Sequence, residues 1–264
     1  SYGAKDIEVL EGLQPVRKRP SMYIGNTNLE GLHHLVNEVL DNSIDEVIAG
    51  HAKNIDFHYA KNNTITIKDD GRGIPVDFHP KYKNKRAFEI VLTTLHAGGK
   101  FSDNVYKTSG GLHGVGISVV NALSEKLKIT IYHKSKAYSQ NYVRGKPKSK
   151  VKIEKWNKSL RGTKISFVPD KEIFESLLFS PKKLYSFIQM KAVLVKDTKI
   201  SFSIDKELIT DKTPHRDKFH YPKGIIDFMQ NNFSARTKII AKNFYASLED
   251  RKSTRLNSSH SEIS

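Results

Sequence analysis

One amphipathic segment, residues 27–50, constrains the fold of this chain more than any other feature. Its leucines, valines and isoleucines recur at helical spacing, which predicts a long helix with one packed face. Thr27 and Glu30 fit an N-terminal capping box, and Gly50 fits a C-terminal cap. The face opposite the apolar stripe carries a polar set: His34, Glu38, Asp41, Asn42 and Asp45. An ordinary solvated face is the alternative to a functional one.

The rest of the chain mixes helices with hairpins. Alternating apolar residues at 55–59 and 64–68 flank a turn at 61–63, which predicts a β-hairpin after the long helix. Because helices and strands do not alternate regularly, we expect an α+β sandwich with an antiparallel or mixed sheet. The further predicted elements are helices at 87–96, 117–123 and 181–193 and strands at 127–132, 137–143, 163–168 and 199–204.

Two loops contain residue patterns typical of ligand-binding sites. Residues 69–75, Asp-Asp-Gly-Arg-Gly-Ile-Pro, follow a predicted strand and indicate a tight loop, with an ordinary turn as the alternative. The glycine-rich residues 110–116 stand directly before the apolar run 117–123. Backbone N–H groups at such a turn can converge on an anion, helped by the helix dipole. The spacing matches neither the P-loop nor the dinucleotide fingerprint, and a purely structural loop is the alternative.

Charge and cysteine content narrow the classes of function. The net charge of +16 favours an acidic partner, namely nucleic acid, nucleotide or anionic membrane. Without cysteine, disulfide scaffolds, thiolate zinc sites and cysteine nucleophiles are excluded, and a reducing compartment such as the cytoplasm is expected. No apolar run approaches the roughly 18 to 20 residues of a membrane helix, so we expect no membrane partner. Residues 134–164 hold eleven Lys or Arg and one acidic residue, typical of either a phosphate-following surface or a solvated lysine-rich hairpin.

Three motifs occur in the order found in the GHKL ATPases: Glu38-x-x-x-Asn42, Asp69-x-Gly71-x-Gly73 and Gly111-x-x-Gly114-x-Gly116. Longer strings at 16–25, 98–101 and 109–116 resemble the B subunits of bacterial type IIA DNA topoisomerases, over residues 2–249. The opening residues 2–13 are more similar to the topoisomerase IV branch than to the gyrase branch. This resemblance implies a Bergerat sandwich with a mixed, mostly antiparallel sheet. It also implies ATP hydrolysis in a homodimeric clamp that powers DNA strand passage together with a topoisomerase A subunit.

The resemblance further assigns roles to residues. It implies that Glu38 is the general base, supported by His34, that Asn42 ligates Mg²⁺, and that Asp69 accepts a hydrogen bond from the adenine amino group. Thr163 would support Asp69 through water, and Tyr2 would reach the partner's nucleotide site. The other residues implied to bind ATP are Asp45, Arg72, Gly73, Pro75, Val91, Lys100, Lys107, Gly111, Leu112, His113, Gly114, Val115 and Gly116.

Two residues and the C-terminal part of the chain depart from the family pattern. Ser21 replaces the usual glycine of Arg-Pro-Gly-Met-Tyr, and His133 replaces an arginine that contacts aminocoumarins, so ordinary sensitivity to them is not expected. Residues 1–219 would form the ATPase domain with its N-terminal dimerisation arm, and residues 220–249 the start of a transducer domain. Residues 250–264 resemble a translated sequencing adapter. A chain without the transducer lysine and cleavage domains is expected to bind ATP but hydrolyse it weakly or not at all.

Two other classes of function compete with this interpretation. Another GHKL protein, a chaperone or a histidine kinase, is disfavoured by the strings at 16–25 and 98–101. A basic nucleic-acid binder would use residues 134–164, and its binding would not depend on ATP or on Glu38.

Overall fold

The computed structural model describes residues 10–95, 116–157 and 159–233, with backbone only for 231–233. A nine-stranded sheet in these ranges has the order β11-β10-β1-β2-β9-β5-β6-β7, and β8 also pairs with β6. β1 and β10 are parallel, and the other pairs are antiparallel. The strands are β1 (Asn54–Tyr59), β2 (Ile65–Asp69), β3 (Phe78–His79), β4 (Tyr82–Arg86), β5 (Ser124–His133), β6 (Lys136–Val143), β7 (Lys146–Pro147), β8 (Lys152–Lys155), β9 (Gly162–Pro169), β10 (Lys199–Ile204) and β11 (Arg216–His220).

Helices cover one face of this sheet. α3 contacts α5, β2 and β9, and α6 contacts β10 and β11, so the apolar stripes of both long helices join one core cluster with the inward side chains of the strands. None of the described helices is both long and apolar enough to cross a bilayer. The helices are α1 (Gln14–Lys18), α2 (Ser21–Ile24), α3 (Leu29–Ile48), α4 (Ala87–Thr93), α5 (Gly116–Ala122), α6 (Pro181–Leu194) and α7 (Ile225–Phe233), with a 3-10 turn at Lys206–Leu208.

The long helix begins one residue later than its capping pattern predicts. The N-cap is Asn28, whose side chain accepts a hydrogen bond from the Glu30 N–H at 2.8 Å, so the capping box from Thr27 is wrong. Gly50 follows the helix with φ +77, as its predicted C-terminal role requires.

The polar face of α3 is covered rather than solvated. Its three acidic residues Glu38, Asp41 and Asp45 are all buried, at 8%, 4% and 1% exposure. Buried carboxylates need hydrogen-bond or charge partners, so this face belongs to a structured site rather than to the solvent boundary.

Several short elements were not predicted. The β3–β4 hairpin, β7, β8 and β11 are additional, and the helix predicted at 87–96 ends at Thr93 because Thr94 adopts an extended backbone. The predicted boundary between residues 219 and 220 stays a prediction; β11 reaches His220, and α7 packs on the sandwich through Tyr221 and Phe228.

Candidate functional site

Asp69 lies at the centre of the site, at the last position of β2. Its Oδ1 accepts hydrogen bonds from the Gly71 N–H at 2.9 Å and the Thr163 N–H at 3.3 Å, and its Oδ2 accepts from the Ser43 hydroxyl at 3.1 Å. Only 2% of Asp69 is exposed. Three chain segments, on α3, the β2 end and β9, therefore converge on one buried carboxylate.

Burial changes the titration of this carboxylate. It raises the pKa of Asp69 from 3.8 to about 6, against the three hydrogen bonds, and the nearby charge of Glu46 adds to the increase. Asp69 is therefore ionised at neutral pH but protonates more readily than an ordinary aspartate. A buried carboxylate of this kind is a strong acceptor for a hydrogen-bond donor brought by a ligand.

The adjacent Asp70 has a different role. Its Oδ1 accepts from the N–H groups of Lys53 and Asn54 at 2.8 and 2.9 Å, and its Oδ2 accepts from the Asn54 amide at 2.6 Å. Partial burial raises the pKa of Asp70, but these hydrogen bonds outweigh burial and hold it below its usual value. Asp70 thus joins the end of β2 to the start of β1, and Asp69 alone points to ligand chemistry.

Arg72 is held by Glu46, a residue that the sequence analysis did not single out. Glu46 Oε2 accepts from the Arg72 backbone N–H at 2.8 Å and from its Nε at 3.2 Å, while Oε1 accepts from the guanidinium at 2.8 Å. Such a bidentate pair fixes the orientation of a guanidinium. Glu46 follows Glu38 by eight residues, two turns along the same helix face, and this spacing is the signal that could have identified it.

Two glycines allow the strands to approach the loop after Asp69. Gly162 has φ +112, and a Cβ there would lie 2.0 Å from the Asp69 carbonyl oxygen. Gly73 has φ +82, and its Cβ would lie 2.9 Å from a methyl carbon of Ile131. Both positions therefore require glycine. The Thr163 hydroxyl then accepts a hydrogen bond from the Ile74 N–H at 3.3 Å, so Thr163 supports the loop directly, besides any water.

A second cluster lies on the same helix, four to eight residues before Asn42. The Nε2 of His34 is 3.2 Å from Glu38 Oε1, and Glu38 Oε2 accepts from the Gly116 N–H at 3.0 Å, at the start of α5. His34 and Glu38 are one turn apart, so both side chains share one face. The structure thus brings together the predicted base, its predicted supporting histidine and one predicted glycine of the anion loop.

The neighbouring His33 is structural. Its Nε2 accepts from the Ser180 N–H at 3.0 Å, at the N-cap of α6, and its ring packs edge-on against Phe179. Burial, with a contribution from Lys183, lowers the pKa of His33 to about 4, so it stays neutral. Of the two adjacent histidines, His34 therefore faces the candidate site and His33 holds α6.

Of the remaining predicted site residues, four lie in described parts of the chain and the others do not. Asn42 is half-buried one turn after Glu38, and Asp45 is fully buried on the same helix. Pro75 is exposed in the loop after Asp69, and Val91 is half-buried on α4. The following predicted residues lie outside the described ranges: Tyr2, Lys100, Lys107, Gly111, Leu112, His113, Gly114 and Val115.

The profile of the family described as histidine kinase-, DNA gyrase B- and HSP90-like ATPases matches residues 27–173, which span both clusters. The chain belongs to this ATPase family. The match confirms the predicted α+β sandwich of the GHKL ATPases.

Relatives in this ATPase family include topoisomerase subunits. The chain is 48% identical over 253 residues to the B subunit of DNA topoisomerase 4 from Rickettsia bellii, covering 96% of this chain and 38% of that protein. It is 48% identical over 249 residues to the corresponding topoisomerase 4 protein of Caulobacter vibrioides, with 94% and 36% coverage. The DNA gyrase B protein of Borreliella burgdorferi is 46% identical over 239 residues, with 89% and 37% coverage. These matches confirm the resemblance to the B subunits of type II topoisomerases.

A solved structure of a gyrase B ATPase domain has a similar fold. The crystal structure of the 43K ATPase domain of Thermus thermophilus gyrase B, in complex with an aminocoumarin, superposes with a TM-score of 0.74 at 33% identity. The match covers 87% of this chain and 57% of that chain. The chain spans less than two fifths of the length of the topoisomerase 4 relatives it matches.

Within this ATPase fold, the arginine-rich string at 16–25 fixes α5. Arg17 donates to the Ala122 carbonyl, at the C-terminal end of α5, at 2.8 Å and lies 2.7 Å from the fully buried Asp170. Arg144 contacts the same carboxylate at 2.9 Å. Burial raises the pKa of Asp170, but hydrogen bonds and the charges of both arginines hold it below its usual value. The string therefore orients the helix whose first residue contacts Glu38.

The structure describes the two residues that depart from the family pattern, Ser21 and His133. Ser21 is the first residue of α2 and is not among the residues with positive φ, so this backbone does not require the glycine of the family. His133 is the last residue of β5, half-buried and paired with Lys136.

Proposed function

We propose that this chain is the ATP-binding domain of a topoisomerase IV B subunit. Asp69 carries the proposal. A carboxylate offers about four acceptor positions, and three are taken by described neighbours. The fourth suits the amino group of adenine, whereas guanine presents a carbonyl oxygen at the same point and would be repelled. Arg72, Gly73, Pro75, Val91 and Thr163 would line or support this base pocket.

The second cluster is suited to hydrolysis. Glu38 would polarise the water that attacks the γ-phosphate, and His34 would orient the carboxylate. Because phosphoryl transfer needs positioning and charge stabilisation more than covalent chemistry, the phosphate-facing groups would supply most of the rate. These groups would be Lys100, Lys107 and the backbone from Gly111 to Gly116.

Magnesium fits the donor set around Asn42. Mg²⁺ prefers hard oxygen ligands and keeps water and phosphate oxygens in its shell. The Asn42 amide offers one such oxygen on the face that carries Glu38, and Asp45 lies less than one turn further along the helix. Among the described residues no group of three or more His, Asp or Glu forms a metal cage, so a bound Mg²⁺ would take its other ligands from nucleotide and water.

The whole protein would act on DNA in the cytoplasm. Identity near 50% to the B subunits of several topoisomerase 4 enzymes supports an A-subunit partner and a homodimer of B subunits that closes on ATP. Tyr2 would then reach the partner's nucleotide site.

A gyrase protein of the same type is the second candidate, because the Borreliella burgdorferi gyrase relative is almost as similar, at 46% identity. The two candidates are distinguished by the reaction that the complete enzyme performs on DNA. A complete protein of the topoisomerase IV type, joined with its A subunit, is expected to decatenate linked circles. Introduction of negative supercoils would assign the protein to gyrase instead.

Calorimetric titration with a non-hydrolysable ATP analogue and Mg²⁺ tests the nucleotide site. The wild-type chain should bind the ATP analogue saturably and the GTP analogue at least about 100-fold more weakly, as expected where a buried polar group is left unpaired. Asp69→Asn should lose binding, since its amide would present a donor to the adenine amino group. Asp70→Asn is the matched control and should bind normally. Equal binding of both analogues, or binding by Asp69→Asn, would contradict the proposal.

A further inference from the structure

The chain has a basic surface on the β6 side of the sheet, which β9 and β5 separate from the strand that carries Asp69. It consists of ten exposed lysines on neighbouring hairpins: Lys81, Lys83, Lys85, Lys134, Lys136, Lys146, Lys148, Lys150, Lys152 and Lys155. Residues 77–86 and 134–164 together hold 15 of the 44 Lys and Arg but 2 of the 28 Asp and Glu. These 41 residues therefore carry +13 of the net charge of +16.

Residues 146–155 form one outer edge of the sheet. β7 pairs with the end of β6 through Tyr142 and Val143, and β8 pairs with its start, so both run along the same side of β6. The Ser149 hydroxyl and carbonyl accept hydrogen bonds from β6 between these two stretches. Residues 146–155 follow β6 from Val143 back to Lys136, a span of seven residues or a little over 20 Å at about 3.3 Å per residue, and they carry lysines at 146, 148, 150, 152 and 155. The edge thus presents a row of positive charge roughly 20 Å long.

The β3–β4 hairpin continues this surface. The Arg86 guanidinium carbon lies 4.5 Å from the ring centre of Phe78 and 5.3 Å from that of Tyr138, which lies on β6. The Gln140 amide, also on β6, donates to the Ser149 carbonyl at 3.0 Å. The lysines of β4 and of the 146–155 edge are therefore on elements that both contact β6, although they are separated by more than 50 residues in the sequence.

Local geometry at this surface is unfavourable. Lys134 has φ +45 in the β5–β6 turn, a conformation that favours glycine or asparagine. Lys136 pairs directly with Lys155 across β6 and β8, where like charges destabilise a sheet. Lysines also protect exposed sheet edges from self-pairing, which explains part of the row. Edge protection needs neither a lysine at a strained turn nor a second basic hairpin beside the edge.

We propose that this basic surface binds the sugar-phosphate backbone of duplex DNA. The inference rests on the proposed function for the identity of the polyanion, whereas none of the ten lysines is among the residues proposed to bind nucleotide. Each strand of a duplex carries one phosphate per about 3.4 Å of axis, so a row roughly 20 Å long matches about six phosphates of one strand. Contacts made by lysines to phosphates carry no sequence information, so binding is indifferent to base sequence.

Fluorescence anisotropy of the full chain with a labelled DNA duplex tests this surface. A surface variant combines Lys134→Gln, Lys136→Gln, Lys150→Gln and Lys155→Gln. A control variant removes the same charge at the opposite edge, along β10 and β11, through Lys199→Gln, Lys206→Gln, Lys212→Gln and Lys218→Gln. Since each phosphate contact contributes about 0.9 to the steepness of log affinity against log salt, loss of all four contacts should lower the steepness by about 3.6 and the affinity by at least about tenfold near 0.1 M salt. The control variant should lose far less.

Each result of the anisotropy experiment leads to a different conclusion. Equal losses in both variants, or no salt-dependent binding by the wild type, would overturn the proposal. Tighter binding of a single strand of equal length, or of an acidic polypeptide competing at the same lysines, would assign another partner. Both variants should bind the ATP analogue like the wild type, so failure of the nucleotide site and failure of the DNA surface are recognised independently. A second variant, Lys83→Gln with Lys85→Gln, should weaken DNA binding further when added to the first.

Discussion

The substitution Asp69→Asn should stabilise the folded chain while it removes nucleotide binding. The amide oxygen can still accept from the Gly71 and Thr163 N–H groups, and the amide nitrogen can donate to the Ser43 hydroxyl, which rotates to accept. All three hydrogen bonds therefore persist in Asp69→Asn. What disappears is the buried negative charge.

The magnitude follows from the pKa of Asp69. Because the pKa is raised from 3.8 to about 6 on folding, the folded state binds the proton more tightly than the unfolded state does. Stability from this group is complete below pH 3.8 and is lost as the pH rises through about 6. At 1.36 kcal/mol per pH unit, the ionised carboxylate costs about 3 kcal/mol above that range. The asparagine does not carry this cost.

Chemical denaturation followed by circular dichroism across pH measures the difference. At pH 8 Asp69→Asn should be more stable than the wild type by about 3 kcal/mol, or roughly 6 to 12 °C in Tm for a domain of this size. At pH 4.5 the advantage should shrink to about 1 kcal/mol, as the wild-type carboxyl becomes protonated. Asp70→Asn should instead lose about 1 to 2 kcal/mol, because its amide would face the Asn54 donor.

If Asp69→Asn were less stable than the wild type at pH 8, or if its advantage did not shrink on acidification, burial of the charge would not be the dominant effect at Asp69. If Asp70→Asn were stabilising, the assignment of the two carboxylates would be reversed.

Three further predictions concern other residues. Glu38→Gln should bind the ATP analogue within about twofold of the wild type, while any phosphate release falls to background; residual hydrolysis would remove Glu38 as the base. Gly162→Ala should lose more than about 3 kcal/mol in denaturant unfolding, because the added Cβ meets the Asp69 carbonyl at 2.0 Å in a strained backbone; a change below about 1 kcal/mol would show that β9 can shift. Asp170→Asn should lose about 3 kcal/mol in the same assay, since two arginines lose a fully buried partner, whereas the exposed Glu172→Gln should change stability by less than about 0.5 kcal/mol; similar effects would contradict the burial argument.

The main elements of the fold could be predicted because their signals are local. Helical spacing in 29–48 and alternation in 55–59 and 65–69 depend only on residues close in sequence. β7 and β8 were missed because both faces of this edge are exposed, so lysines replace the apolar alternation. The N-cap was displaced to Asn28 because Thr27 and Asn28 are both good capping residues, and the geometry before the helix decides between them.

The site was predicted where motifs carry it and missed where distant contacts do. Glu38 and Asp69 stand in spaced motifs, whereas Glu46 looks like one more carboxylate on a helix until the loop 26 residues later places Arg72 against it. Ser43 and Gly162 give no signal in the sequence. Their roles depend on the position of the Asp69 side chain and of the Asp69 carbonyl, which follow from the register of β2 against its neighbours.

The hydrogen bond from the Gly116 N–H to Glu38 gives the site an order of assembly. An anion that accepted from this N–H would compete with Glu38 for it, so its arrival would release one carboxylate oxygen. Until then, that carboxylate oxygen is engaged, and Glu38 would not be free to act as the proposed base. Arg17 on α1 donates to the C-terminal end of α5, whose first residue contacts Glu38. A displacement of α1 would therefore shift α5 and, with it, the Gly116 N–H.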